Sequence, residues 1–214
     1  GMGYGHVMFL NIRNLVQPVS RGHTLSGQFD PDYPPLCFCC DDTRDQGGIV
    51  VGCHNGKGME APVAAALGKL DAFNLFDPFW ADPEYEIWYH LLNCGIDLPA
   101  STGTDWFVCS NNRVYVNTSA EFSYASWIDG MKAGRNFITN GPALDLKLDD
   151  QPLGGTVELT GGGELEAEVT FHSHYPVERL ELIVDGQPIQ AWEWPEGRRE
   201  GEIRHPLRVE RDGW

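Results

Sequence analysis

Two stretches, Gly48-Ile-Val-Val-Gly-Cys-His54 and Leu98-Pro-Ala-Ser-Thr-Gly-Thr-Asp105, decide how this chain folds. Each is a short run of apolar or small residues that ends on a side chain able to bind metal. Such a run, bounded on both sides by polar sequence, reads as a strand buried on both faces of a parallel sheet. In open parallel sheets and barrels, ligands gather at the carboxyl ends of the strands, where His54 and Asp105 fall. Asp105 is followed at once by the bulky Trp106-Phe107. A third run, His6-Val-Met-Phe-Leu-Asn11, begins with a histidine. Two imidazoles and a carboxylate suit one divalent ion, zinc above all, with manganese or iron as alternatives. His6, His54 and Asp105 are therefore the expected metal ligands.

Working outward, apolar runs predict strands near 6–12, 48–53, 71–76, 98–104 and 113–117. Helical periodicity predicts helices near 35–46, 60–69, 83–94 and 123–133. Pro83 in the first turn and Gly95 past the end frame the third helix. Ser123 is a suitable N-cap for the fourth, and Gly134 ends it. Strands alternating with helices imply parallel pairing through right-handed crossovers. Four or five such steps are too few to close a barrel of the usual eight. The expectation is an α/β fold, a partial and incomplete βα barrel over residues 1–141 with an open edge that a second copy of the chain would cover.

After Asn140-Gly-Pro142 the pattern changes to period-two alternation over 144–149, 156–159, 164–172, 178–185 and 204–210. Turn signals divide these segments: Asp149-Asp150, Gly161-Gly-Gly163, Asp185-Gly186 and Pro195-Glu-Gly197. Short alternating strands between turns predict a small antiparallel, immunoglobulin-like β-sandwich over residues 142–214.

The chain has 214 residues, 42% of them hydrophobic and 21% charged, with a formal net charge of −16. Residues 1–141 carry 8 basic and 15 acidic side chains, and residues 142–214 carry 7 and 16. Acidity spread over both regions argues against a nucleic acid or an anionic membrane as partner. No apolar stretch reaches the ~20 residues of a membrane span. Gly1-Met2 reads as a tag remnant before a start methionine, so the amino terminus is silent on secretion. The six cysteines, Cys37, Cys39, Cys40, Cys53, Cys94 and Cys109, lack zinc-site spacing. Several lie in apolar runs and read as free thiols of a reducing, cytoplasmic compartment.

Several strings together resemble the CehA/McbA group of metallohydrolases, a branch of the PHP (polymerase and histidinol phosphatase) superfamily. They are Gly5-His6 with its apolar run, Gly47-Gly-Ile-Val-Val-Gly-Cys-His54, Trp88-Tyr-His-Leu-Leu-Asn-Cys-Gly95, the run ending at Asp105, Arg113-Val-Tyr-Val116 and Ala133-Gly-Arg-Asn-Phe-Ile-Thr-Asn-Gly-Pro142. The resemblance implies a distorted PHP-type barrel with a metal centre, followed by a β-sandwich. It likens His6 to the histidine after the family's acidic motif and His54 to that of its His-Pro motif, with Asn55 here in place of proline. Asp105 is similar to the aspartate of its Gly-Ser-Asp-x-His motif, and Trp106-Phe107 replace the segment bearing a further histidine. The early His-x-His pair has no counterpart, so the resemblance implies a carboxyl-terminal half with about half of the metal set.

The implied activity is metal-dependent hydrolysis of an ester, carbamate or phosphoester bond in a small molecule. The alternative is a catalytically inactive remnant that binds or assembles through its sandwich. Loop residues His23, Lys57 and Glu60 are candidate substrate contacts, and Glu60, Asp77 and His90 are candidate bases by nearness in sequence alone. His172 and His174 share one side of a strand without a third ligand. Trp192 and Trp194 fit either a sugar-stacking face or ordinary packing.

Overall fold

The computed structural model describes residues 6–17, 19, 34–53, 60–75, 85–103, 111–118 and 121–214. Ten strands and four helices are found among them. The first sheet has the order β1-β2-β3-β4, built from β1 (His6–Leu10), β2 (Ile49–Cys53), β3 (Ala72–Leu75) and β4 (Ala100–Thr102). β2, β3 and β4 run parallel, whereas β1 is antiparallel to β2. β5 (Arg113–Val116) leaves this sheet and pairs with β6 (Asn136–Thr139) in a separate antiparallel pair.

Helices cover both faces of the first sheet. Helix α1 (Leu36–Asp45) buries Leu36, Cys39, Cys40 and Thr43, an i, i+3, i+4, i+7 stripe. Helix α2 (Ala61–Ala66) buries Ala61, Ala64 and Ala65 in the same manner. Together with Leu91 of α3 (Tyr85–Asn93), they pack on Val50, Phe73 and Leu75. On the opposite face, Ile128 and Met131 of α4 (Tyr124–Lys132) meet Ile49, Val51 and Ala72. Ser123 caps α4 by accepting from the Ser126 amide at 3.0 Å, and Ser126 Oγ accepts from the Ser123 amide at 2.9 Å. Gly48 is required between α1 and the sheet, because a Cβ there would lie 2.8 Å from the Leu10 carbonyl oxygen. Asp71 ties these layers: it accepts from the Val50 amide at 2.8 Å and from Arg44 at 2.6 Å.

The expected partial barrel is not what forms. Strands take 46% and helices 20% of the described residues, and no sheet among them closes on itself. Most of the individual elements lie near their expected positions, yet their pairing differs. The reversed direction of β1 and the departure of β5 leave a parallel group of three strands, far from a barrel. Any second copy along β1 would therefore add to the edge of an ordinary open sheet.

The carboxyl-terminal region also departs from a sandwich of separate short strands. It is one hydrogen-bonded sheet of order β10-β9-β7-β8, with β7 (Ala143–Leu148), β8 (Gln151–Pro152), β9 (Gly163–Val184) and β10 (Gln187–Val209). The Asp185-Gly186 turn has φ of 51° and 77°, the left-handed pair that a two-residue hairpin needs. Pro195-Glu-Gly197 does not end a strand; it sits at register shifts in a ladder that resumes at Arg198 and Glu200. There the ribbon folds back, so that Trp192 meets His205 edge-on at 5.6 Å and Trp194 meets Phe171 at 5.4 Å. β-Bulges bend a strand without stopping it, which is why a turn signal proved misleading.

The last residue joins the two regions. Trp214 packs on Tyr89 at 4.9 Å between ring centres, and its Nε1 donates to Asn93 Oδ1 at 2.7 Å. Its backbone exchanges hydrogen bonds with Asp185, at 3.1 Å to the carboxylate and 3.0 Å from the Asp185 amide.

Two predictions come from this architecture. Gly197 has φ of 70°, and a Cβ there would meet the Pro176 Cβ at 2.4 Å. Gly197→Ala is expected to destabilise the protein by about 2 kcal/mol or more in urea unfolding, and an unchanged midpoint would show that the bend tolerates a side chain. Second, burial, followed by the neighbouring Cys37 and Cys39, pushes the Cys40 thiol from 9.0 up to about 12. Because the folded form holds this proton more tightly, its contribution is full below pH 9 and is lost as pH rises towards 12. Cys40→Ala is expected to flatten that part of the alkaline stability curve.

Candidate functional site

The strand registers draw four side chains into one row. β1–β2 pairing sets His6 opposite Cys53. β2–β3 pairing sets Val51 opposite Ala72 and Gly52 opposite Phe73, and the next step along brings Cys53 level with Asn74. β3–β4 pairing sets Asn74 opposite Ser101. Side chains alternate along a strand, so His6, Cys53, Asn74 and Ser101 share the face that carries Ile49, Val51 and Ala72. With strands about 4.8 Å apart, the row spans about 14 Å. It lies at the carboxyl ends of the three parallel strands, the usual ligand-binding edge of such sheets.

The row is graded in exposure. His6 is exposed, Cys53 is half-buried, and Asn74 and Ser101 are 7% and 3% exposed. The Cys53 thiol reaches the Val51 carbonyl at 3.6 Å. Asn74 Oδ1 is buried and has no hydrogen-bond partner among the described residues. A buried acceptor left without a partner costs about 1–3 kcal/mol, so such a group in a core strand calls for an explanation. Beyond the row, Gly103 is in van der Waals reach, since a Cβ on it would lie 3.7 Å from Asn74 Oδ1. The Gly103 carbonyl accepts from Asn112 Nδ2 at 3.4 Å.

Of the expected ligands, His6 stands at this rim, while His54 and Asp105 lie outside the described residues, as do the candidate contacts His23 and Lys57 and the candidate base Asp77. Glu60 has a structural partner: its Oε2 accepts from the Leu36 amide at 2.5 Å, at the amino terminus of α1, where a carboxylate is favoured. His90 is exposed on α3. His172 lies 3.8 Å from Glu200 with both side chains open to solvent. Trp192 and Trp194 have their rings engaged by His205 and Phe171, and Arg198 lies over the Trp194 ring at 5.2 Å. Among the described residues no group of three His, Cys, Asp or Glu side chains converges. Five of the cysteines, Cys37, Cys39, Cys40, Cys53 and Cys94, are free thiols. No described helix is long and apolar enough to cross a membrane.

Sequence reasoning missed Asn74 and Ser101. A signal was present, because Ala72-Phe-Asn-Leu75 sets an amide inside an otherwise apolar strand. Comparison with family models, with curated proteins and with solved structures yields no match.

If Asn74 serves a ligand rather than the fold, its removal will not harm stability. Asn74→Leu, of similar shape, is expected to leave the unfolding free energy unchanged or raised by up to about 1 kcal/mol. A loss above about 2 kcal/mol would mean that the amide is satisfied within the folded chain.

Proposed function

We propose that the chain is a divalent-metal-dependent hydrolase, related through its sequence strings to the CehA/McbA group, that works from the rim of an open mixed sheet. The observation that carries this reading is the His6–Cys53 pairing at the edge where three parallel strands end. In the chain His54 follows Cys53 directly, and Asp105 follows Thr102 by three residues. His6, His54 and Asp105 are proposed to hold one ion, zinc by preference, with manganese or iron as alternatives. The unpartnered Asn74 Oδ1 beside these strand ends supports a polar occupant there.

When bound, the ion supplies Lewis acidity and lowers the pKa of a coordinated water towards ~7. The chain's own groups do the positioning. Ser101 and Asn74 form the floor of the row, and Asn74 Oδ1 is free to accept a hydrogen bond from a substrate or water donor. The substrate class is an ester, carbamate or phosphoester of a small molecule. The free thiols favour a reducing compartment, and the cytoplasm is the proposed location.

A second reading is a catalytically inactive module that binds through its carboxyl-terminal sheet. It is favoured by one observation: the β9–β10 ribbon exposes the large apolar side chains Tyr175 and Ile189.

The two readings separate in one experiment. Protein stripped with chelator and reloaded with zinc is expected to retain about one ion per chain by elemental analysis, and to hydrolyse members of a p-nitrophenyl ester, carbamate and phosphate panel. His54→Ala and Asp105→Ala are each expected to weaken zinc affinity at least ~100-fold, and His6→Ala at least ~10-fold. Sub-stoichiometric zinc in the unsubstituted protein would sink the metal reading and leave the binding module.

A further inference from the structure

The β5–β6 pair leans against the antiparallel sheet, and between them lies a cavity of about 490 Å³. That volume falls in the ~300–1,000 Å³ range of small-ligand sites. Tyr115 and Phe137 form one wall, stacked at 5.3 Å with 14° between their planes. Tyr115 is nevertheless 54% exposed, so a rigid aromatic surface faces the opening. Leu144 of β7 contributes apolar surface from the other side.

One cation in the wall lacks an anion. Arg135 is half-buried, and its Nε donates to the Asn117 carbonyl at 3.4 Å. Among the described residues it has no carboxylate partner, although the chain carries 31 acidic against 15 basic side chains. Arg44, Arg179, Arg204, Arg208 and Arg211 have one, whereas Arg13, Arg198 and Arg199, like Arg135, have none among the described residues; of these four, Arg135 lines the cavity. Asn136 does not belong to this wall: paired with Val116, it lies on the opposite face of the β5–β6 pair, where its Nδ2 donates to the Ala100 carbonyl of the first sheet at 2.6 Å. Its Oδ1 is buried there without a partner among the described residues. A guanidinium without an anion beside a stacked aromatic wall describes one kind of guest.

We propose that this cavity binds a small aromatic carboxylate. Its ring lies against the Tyr115–Phe137 wall, and its carboxylate pairs with Arg135. Arg is suited to the carboxylate because its planar fork matches both oxygens. Asp145 also lines the cavity, but it is exposed, so solvent and salt screen its charge more than that of Arg135. This site is independent of the metal reading and uses none of its residues.

The test is titration calorimetry, with ligand-observed saturation-transfer NMR, on the full chain. 4-Hydroxybenzoate is expected to bind saturably, and 4-hydroxybenzamide, cyclohexanecarboxylate and benzylamine each at least about tenfold more weakly. Arg135→Gln is expected to lower 4-hydroxybenzoate affinity at least about tenfold while leaving that of 4-hydroxybenzamide unchanged. Tyr115→Ala, at an exposed position, provides an independent second variant and is expected to weaken both ring compounds. No saturable binding at millimolar concentration, tighter binding of benzylamine, or indifference to both substitutions would overturn the proposal.

Discussion

Everything proposed for the rim depends on the register that links β1 to β4. A slip of one residue in any of these strands would send its member of the row to the opposite face. The register is held by burial rather than by the polar row itself. Ile49, Val50, Val51, Ala72, Phe73 and Leu75 are at most 1% exposed, with helices on both sides. Each of the larger ones contributes about 1.5–3 kcal/mol, and their sum exceeds the penalty of one unpartnered amide. The apolar middle of the sheet can therefore carry an unfavourable polar group at its end.

The carboxyl-terminal ribbon is stabilised differently. Its outer faces carry Arg179 with Glu181 and Glu193, and Arg204 with Glu166, Glu168 and Glu202. Exposed pairs of this kind are worth little singly. The geometry comes from two backbone events, the Asp185-Gly186 hairpin and the bend at Gly197, and from aromatic contacts made where the ribbon doubles back. The hairpin also docks. Gly186 lies against Tyr89, where a Cβ would come within 3.2 Å of the ring, and Trp214 closes over the same helix. Burial, with the Glu181 carboxylate second, raises the Tyr89 phenol above its ordinary 10.0, as a contact that excludes water should. The ribbon and the first sheet thus meet through α3.

Much of this was legible in the sequence at the level of elements. Gly48-Ile-Val-Val-Gly-Cys53 announces a buried strand, and Ser123 announces a helix start, because those signals are local. The pairing was not legible. Nothing in His6-Val-Met-Phe-Leu10 states its direction, since an apolar run looks the same parallel or antiparallel. The assumption that alternating elements pair in parallel turned three parallel strands into an expected barrel. Similarly, Pro195-Glu-Gly197 has the composition of a turn, but its neighbours on β9 remain available for pairing, and the ladder passes through. The site shows the same division. His6 was found because histidine is conspicuous, while Asn74 was hidden inside a strand whose burial only the fold reveals.

The two amides, Asn74 and Asn136, connect these points. Each sits at a seam: Asn74 at the rim of the parallel strands, and Asn136 where β6 meets β4 through the Ala100 carbonyl. Asn136 explains half of itself, because its Nδ2 bond ties the β5–β6 pair to the first sheet, and that tie requires an amide donor. An apolar residue would lose the tie, so a structural reason exists for tolerating its idle oxygen. For Asn74 no such bond is found among the described residues, and β-branched side chains would suit its strand better. Asn136 therefore has its place explained by a fold-holding bond. Asn74 is the side chain whose presence the packing of this sheet does not demand, and the strand ends beside it are where chemistry is best sought.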